Sequence, residues 1–298
     1  MTQERKTRTG ILALLALAAC LLVPGRPVRS DVPPAQAREA SIRPWSGWWW
    51  PLSTGPGPHL DDADGPLAKY DRYCVASGRP DPHTREWEAT HSRSAGPEDH
   101  WWGHCHGWAA ASILEPEPVA GVEQAGIRFS VADLKGLLTA WHAGDGPHFV
   151  DGGAAPGVPA LTFHQRMQSW LLGGGRPLVV DTYAGGAEVW NFPAYAARLE
   201  YRAGESPGNL HVTATLTFAG LAGPDTVGTQ SFTRTYTYRL TGDPQAPTAA
   251  EWEGASAGSN SQARPWVLWY PDPALRLPDW TPPGLNPLVI REILGNQR

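Results

Sequence analysis

The chain of 298 residues reads as an α+β fold, with helices gathered early and antiparallel strands late. Two stretches before residue 145 repeat their apolar positions with helical spacing, and two after residue 210 alternate strictly. An apolar fraction of 41% suits a globule with a core.

Residues 31–60 are rich in Pro, Gly and Ala and then in Trp45, Trp48, Trp49 and Trp50. They sustain no period, so an irregular arm packed by its aromatics is expected there. Leu67 to Tyr73 suits a short helix, and the polar, Pro-broken stretch Arg79 to Asp99 suits a loop. The run Trp108 to Leu114 favours helix and is stopped by Pro116, which puts Cys105 at or near a helix N-terminus. Val131 to His142 carries Leu134, Leu137, Leu138 and Trp141 on one face, behind Ser130 as N-cap and Asp133 three residues on. Gly144 to Pro159 reads as loop, and Leu161 to Leu172 fits either element. Pro177 to Tyr183 and Glu188 to Tyr195 flank a Gly185-Gly186 turn. Val212, Ala214, Leu216 and Phe218 alternate with threonines, and Phe232 to Leu240 alternates similarly, as strands with one wet face do. Val267 to Tyr270 adds a short strand before a Pro-rich tail.

The first residues look like an export signal: Arg5, Lys6 and Arg8 precede an apolar run from Ile11 to Val23, followed by Pro24 and Gly25. That run is too short to span a bilayer as a helix, so residues 1–30 are expected to be removed and no membrane span is expected. The alternative is a lipoprotein anchored through Cys20, although the apolar run continues past that cysteine. Either way the protein is expected to be secreted, periplasmic or otherwise extracytoplasmic, with 61–298 a single catalytic domain behind the arm. Without residues 1–30 the chain keeps 19 basic and 28 acidic residues, a net charge of −9, which argues against a nucleic-acid partner.

Outside the signal region only Cys74 and Cys105 remain. A thiolate at a helix N-terminus is stabilised by the dipole and by unpaired backbone N–H groups. Cys105 is therefore a candidate nucleophile, flanked by His104 and His106, whose side chains need not point towards it. A more remote base and a group to orient it are the usual complement. His164, read as opening a strand at Leu161 to His164, and Asp181, ending the strand Val179-Val180-Asp181, fit those places on neighbouring strands.

GHCHGW around Cys105, Phe163-His164 and the run from Val179 to Tyr195 with its VWN segment together resemble the transglutaminase elicitor family. The likeness extends from Trp45 to EWEG (Glu251 to Gly254), RPWVLWYP (Arg264 to Pro271) and Asn286-Pro287. It implies a papain-like, transglutaminase-like core with the cysteine helix packed on an antiparallel sheet, and a catalytic triad of Cys105, His164 and Asp181. It also implies a VWN-Pro segment that host immunity recognises in proteins of plant pathogens. The implied reaction moves a protein glutamine's acyl group to Cys105 with loss of ammonia, then to a lysine amine or to water. Protein substrates would be the partners, with no cofactor. His164 would be the base, Asp181 would hold its tautomer, and the Cys105 N–H with an indole of Trp101 or Trp102 would bind the oxyanion.

Other readings compete. Cys105 could pair with Cys74, or be an inert core thiol. His100, His104, Cys105 and His106 suggest zinc, but adjacent ligands do not converge as zinc motifs do, so no metal is expected. The fold could also serve as a non-catalytic, elicitor-like binding module, or as a protein glutaminase or cysteine peptidase.

Overall fold

Alternation in the second half of the chain builds one long antiparallel sheet. The computed structural model describes residues 32–55, 57–93, 96, 99–154, 157–185, 188–258 and 263–295. Residues 1–30, expected to be an export signal, lie with Cys20 outside these residues. Strands β4 (Asp145–Gly152), β5 (Leu178–Gly185), β6 (Glu188–Ala203), β7 (Asn209–Ala219), β8 (Ser231–Asp243), β9 (Ala246–Trp252) and β10 (Val267–Arg276) run in the order β4-β10-β5-β6-β7-β8-β9. β1 (Gln36–Glu39) adds to β6. Every described pairing in this sheet is antiparallel. On β7 Leu210, Val212, Ala214, Leu216 and Phe218 are buried, with half-buried His211 and threonines between them, as the alternation requires.

Among the described residues five α-helices come before β5: α1 (Pro66–Ala76), α2 (Thr84–His91), α3 (Cys105–Leu114), α4 (Val131–His142) and α5 (Ala160–Arg166). A sixth, α6 (Pro287–Leu294), closes the described chain. α4 starts as its sequence predicts: the Ser130 hydroxyl accepts from the Asp133 N–H at 3.1 Å, and the Ser130 N–H donates to the Asp133 carboxylate at 2.7 Å. α3 lies between α4 and the sheet, in contact with β5, β6 and β10. Beside the buried Trp108 and Ile113 it carries a run of small residues, Ala109, Ala110 and Ala111, all fully buried. A Cβ on Gly107 would stand 2.5 Å from the Thr139 carbonyl oxygen and 3.0 Å from Ala143, so only glycine lets α3 lie this close to α4.

Several expected loops are ordered. Arg79–Asp99 contains α2, and Gly144–Pro159 contains β4, an edge strand on β10 that accommodates Pro147. Its partner lies more than a hundred residues away, which a local pattern cannot show. A β2–β3 hairpin (Val122–Gln124 and Ile127–Phe129) turns at Ala125-Gly126, both with positive φ. The ambiguous 161–172 stretch is helical, α5 running into a π-helical turn at Met167–Gly173. His164 therefore sits on a helix. The N–H of Phe163 donates to the Pro159 carbonyl at 2.9 Å, and the Phe163 ring packs edge-on against Tyr236 and Tyr238. The hydrophobic demand of that ring overrides the strand reading.

The N-terminal arm joins the core through Trp45 and Trp50. It is also held by Lys135, a fully buried cation. Its ammonium donates to the carbonyls of Ser46 at 3.0 Å and Thr226 at 2.6 Å and to Glu117 at 2.6 Å, with the Trp45 ring at 4.7 Å. At the far end, buried His142 meets Asp145 at 2.5 Å, and Arg276 also bonds Asp145. Burial opposes charge on His142, but Asp145 and Glu115 outweigh it and raise its pKa. These bonds fasten the segment that carries Trp280 to the end of α4.

Gly107→Ala is expected to force α3 and α4 apart and to destabilise the fold by about 1–3 kcal/mol, as overpacking does. Urea midpoints of the two proteins check this, and an unchanged midpoint would show that the helices have slack.

Candidate active site

Cys105 occupies the first turn of α3, where backbone N–H groups have no partner in the helix. Its side chain is buried, with 8% of the residue exposed, yet it lines a cavity of about 820 Å³. Asn191 on β6 donates from Nδ2 to the sulfur at 3.6 Å, and its own Oδ1 accepts from the Trp269 indole of β10 at 2.8 Å. The indole bond orients the amide so that its NH2 group faces the thiol. Asp181 on β5 is the cross-strand partner of Asn191 and lines the same cavity. Strand register thus delivers two side chains from either side of a turn to one cysteine. Neither Cys74 nor Cys105 is in a disulfide.

The thiol is not depressed in the way a helix N-terminus alone would dictate. Burial raises the Cys105 pKa, and a charged Asp181 adds to that. Hydrogen bonds from the backbone and side chain of Asn191 and from the His106 backbone act against it without prevailing. The resting group is a thiol. Asp181 is half-buried, its Oδ1 is shielded from solvent without a hydrogen-bond partner, and burial lifts its pKa to about 7. His106, also in the cavity, is lowered to about 3, first by burial and then by His104, and its Nε2 is unpaired. The Trp280 ring meets the His106 ring in an edge-to-face contact, with centroids 5.1 Å apart. His104 makes a buried pair with Glu88 of α2, Nε2 to Oε1 at 2.6 Å.

His164 is not part of this site. Its Nδ1 meets the Tyr238 hydroxyl at 2.7 Å and its Nε2 the Pro244 carbonyl at 2.8 Å, on β8 and in the turn before β9. Both ring nitrogens are committed away from Cys105 and Asp181, so the expected triad is not assembled. Trp101 and Trp102 do line the cavity, Trp102 with 46% of its surface exposed, but the donor at the sulfur is Asn191. Asn191 is not among the site residues that the sequence points to. The signal for it was present in the VWN segment and in its position opposite Asp181 across a short turn. Among the described residues no three of His, Cys, Asp and Glu group as a metal centre.

The sequence profile of the transglutaminase elicitor family matches residues 88–155, a stretch that holds Glu88, His104 and Cys105. The crystal structure of the GP42 transglutaminase from Phytophthora sojae is similar, with a TM-score of 0.64 and 19% identity over 89% of this chain and 92% of that one. The fold resembles that of a transglutaminase. At this identity the likeness is one of architecture: a mixed α/β chain with an antiparallel sheet. No curated protein matches the sequence. No described helix is long and apolar enough to cross a membrane.

An aspartate that binds its proton more tightly folded than unfolded stabilises the fold fully below about pH 4, and that contribution is lost as pH rises through about 7. The gap amounts to about 4 kcal/mol. Asp181→Asn should remove this decline, so the variant's urea midpoint should exceed the wild type's at pH 8 and approach it at pH 4. Parallel pH dependences in the two proteins would refute the shielded, unpartnered carboxyl.

Proposed function

We propose that the protein is an exported transglutaminase-like acyltransferase, in which Cys105 attacks the carboxamide of a protein glutamine, releases ammonia and passes the acyl group to an amine or to water. The observation that carries this reading is the Cys105 thiol at a helix N-terminus, lining a cavity with an oriented amide donor at 3.6 Å. The family match across Cys105 supports it.

Asp181 takes the role of acid. A carboxyl near pH 7 in its affinity holds a proton in about half of the molecules at neutrality, enough to deliver it to the departing nitrogen. While it holds that proton it also stops raising the thiol pKa. The oxyanion is bonded by the Asn191 amide and the Cys105 N–H, in place of the indoles of Trp101 and Trp102, which serve as cavity walls. His164 acts only as a packing residue of α5.

A non-catalytic binding module is the second reading, favoured by the raised thiol pKa. Against it, the segment that such a module would display is largely inside the protein: Trp190 is 8% and Phe192 7% exposed.

Incubating the mature chain with a glutamine-donor protein and a fluorescent primary amine should label the donor, and Cys105→Ala should abolish labelling. Ammonia release without labelling would assign hydrolysis to the site. Asp181→Asn should slow turnover by roughly a hundredfold and remove the fall in activity above pH 7. Full labelling by Cys105→Ala would end the acyltransferase reading.

A further inference from the structure

With His164 elsewhere, the thiol proton needs another acceptor. Glu88 and His104 form a buried carboxylate–imidazole pair, each side chain about 5% exposed. Glu88 accepts a second bond from the Ser92 hydroxyl at 2.9 Å. Burial alone would raise the Glu88 carboxyl, but His104, Ser92 and Arg93 together hold it below its ordinary value. A carboxylate accepts, so Nε2 of His104 carries a hydrogen, and in the neutral ring Nδ1 holds the lone pair. That Nδ1 is buried without a hydrogen-bond partner.

His104 precedes Cys105 in the chain and occupies the N-cap of α3, yet its side chain makes no capping bond. It lines the same cavity as the thiol. A buried polar atom left unpaired costs about 1–3 kcal/mol, and a plain strut between α2 and α3 has no need of one. Burying a lone carboxylate is costlier still, and it becomes a neutral pair only when His104 takes up a proton.

We propose that His104 is the base that removes the Cys105 thiol proton, with Glu88 as the positioning residue that holds its tautomer and stabilises the imidazolium. The inference rests on Cys105 being the nucleophile. In acylation the S–H bond breaks and its proton goes to Nδ1 of His104. The sulfur electron pair forms the bond to the carboxamide carbon, the C–N bond breaks, and Asp181 protonates the leaving nitrogen to give ammonia. In the second half, Asp181 takes a proton from the attacking amine or water, the C–S bond breaks, and the thiolate recovers its proton from His104. Both groups return to their starting states. Besides Glu88, bonded to its Nε2, the charged or titratable groups that line the cavity with His104 are His91, Arg93 and Asp99 from the α2 side, Cys105 and His106 on α3, Asp181 from the sheet and Asp279 after β10.

The test is the pH profile of Cys105 alkylation by iodoacetamide between pH 5 and 10, read by mass mapping of the Cys105 peptide, alongside amine labelling. The wild type should react with a shoulder at pH 6, below the main rise of a resting thiol, as His104 takes the proton during attack. His104→Gln should lose that shoulder, with reaction at pH 6 and labelling both down at least about tenfold. Glu88→Gln should displace the shoulder while near-UV circular dichroism stays native, a change that a merely structural strut would not produce. A folded His104→Gln whose profile superimposes on the wild type's overturns the inference. Should His104→Gln not fold, an unchanged profile in Glu88→Gln overturns it equally. A wild type with no Cys105-dependent labelling overturns the acyltransferase reading itself, whereas labelling that survives His104→Gln undiminished overturns the base assignment alone.

Discussion

Helix α3 meets α4 through Gly107, whose missing side chain lets the two backbones touch, and the arrangement of the site follows from that. Gly107 lies against the α4 backbone, and Ala109 to Ala111 are wholly buried. Interior packing tolerates few voids, so this helix has one seat between α4 and the sheet. Seated there, its first turn meets β5 and β6 where Asp181 and Asn191 face each other in register. The Trp269 indole packs over Ala109, Ile113 and Val179 and also bonds Asn191, so one ring fixes the helix and the amide together. The cysteine is thus positioned by backbone proximity, with little contribution from its own contacts.

That placement sets an electrostatic conflict. Deep burial disfavours thiolate, and the helix terminus and Asn191 favour it. Burial prevails at rest. Around the sulfur the structure leaves three buried polar atoms unpaired, on His104, His106 and Asp181, out of five in the described chain. Native interiors satisfy nearly all such atoms. Their concentration in one cavity marks where the fold gives up stability and where substrate groups can replace the missing partners.

Much of the architecture was legible because it rests on local signals. The Ser130–Asp133 capping box, the β7 alternation and the helix beginning at Cys105 each follow from a few adjacent residues. Asp181 was singled out because it closes an apolar run; β5 in fact continues past it to Gly185, and Asp181 lines the cavity of Cys105 from mid-strand. What escaped depended on distant partners. β4 is a strand because β10 pairs with it, and α5 is a helix because Phe163 needs Tyr236 and Tyr238 beneath it. The choice of His164 failed for that reason: a sensible order along the chain gave no information about which end of the sheet its helix would cover. Glu88 was invisible in a stretch read as loop, and His104 was set aside because sequence neighbours often diverge.

The walls of the cavity differ from its cysteine in how tightly they are held. Trp102 and Trp280 are each about half exposed, Trp102 next to the α2 side and Trp280 on the segment after β10. A change of residue at either meets solvent, whereas a change on α3 meets backbone. Under mutational drift such a molecule would diversify in what it accepts long before it altered how it reacts. Related chains would then share an almost invariant alanine-rich helix while differing freely at its aromatic rim.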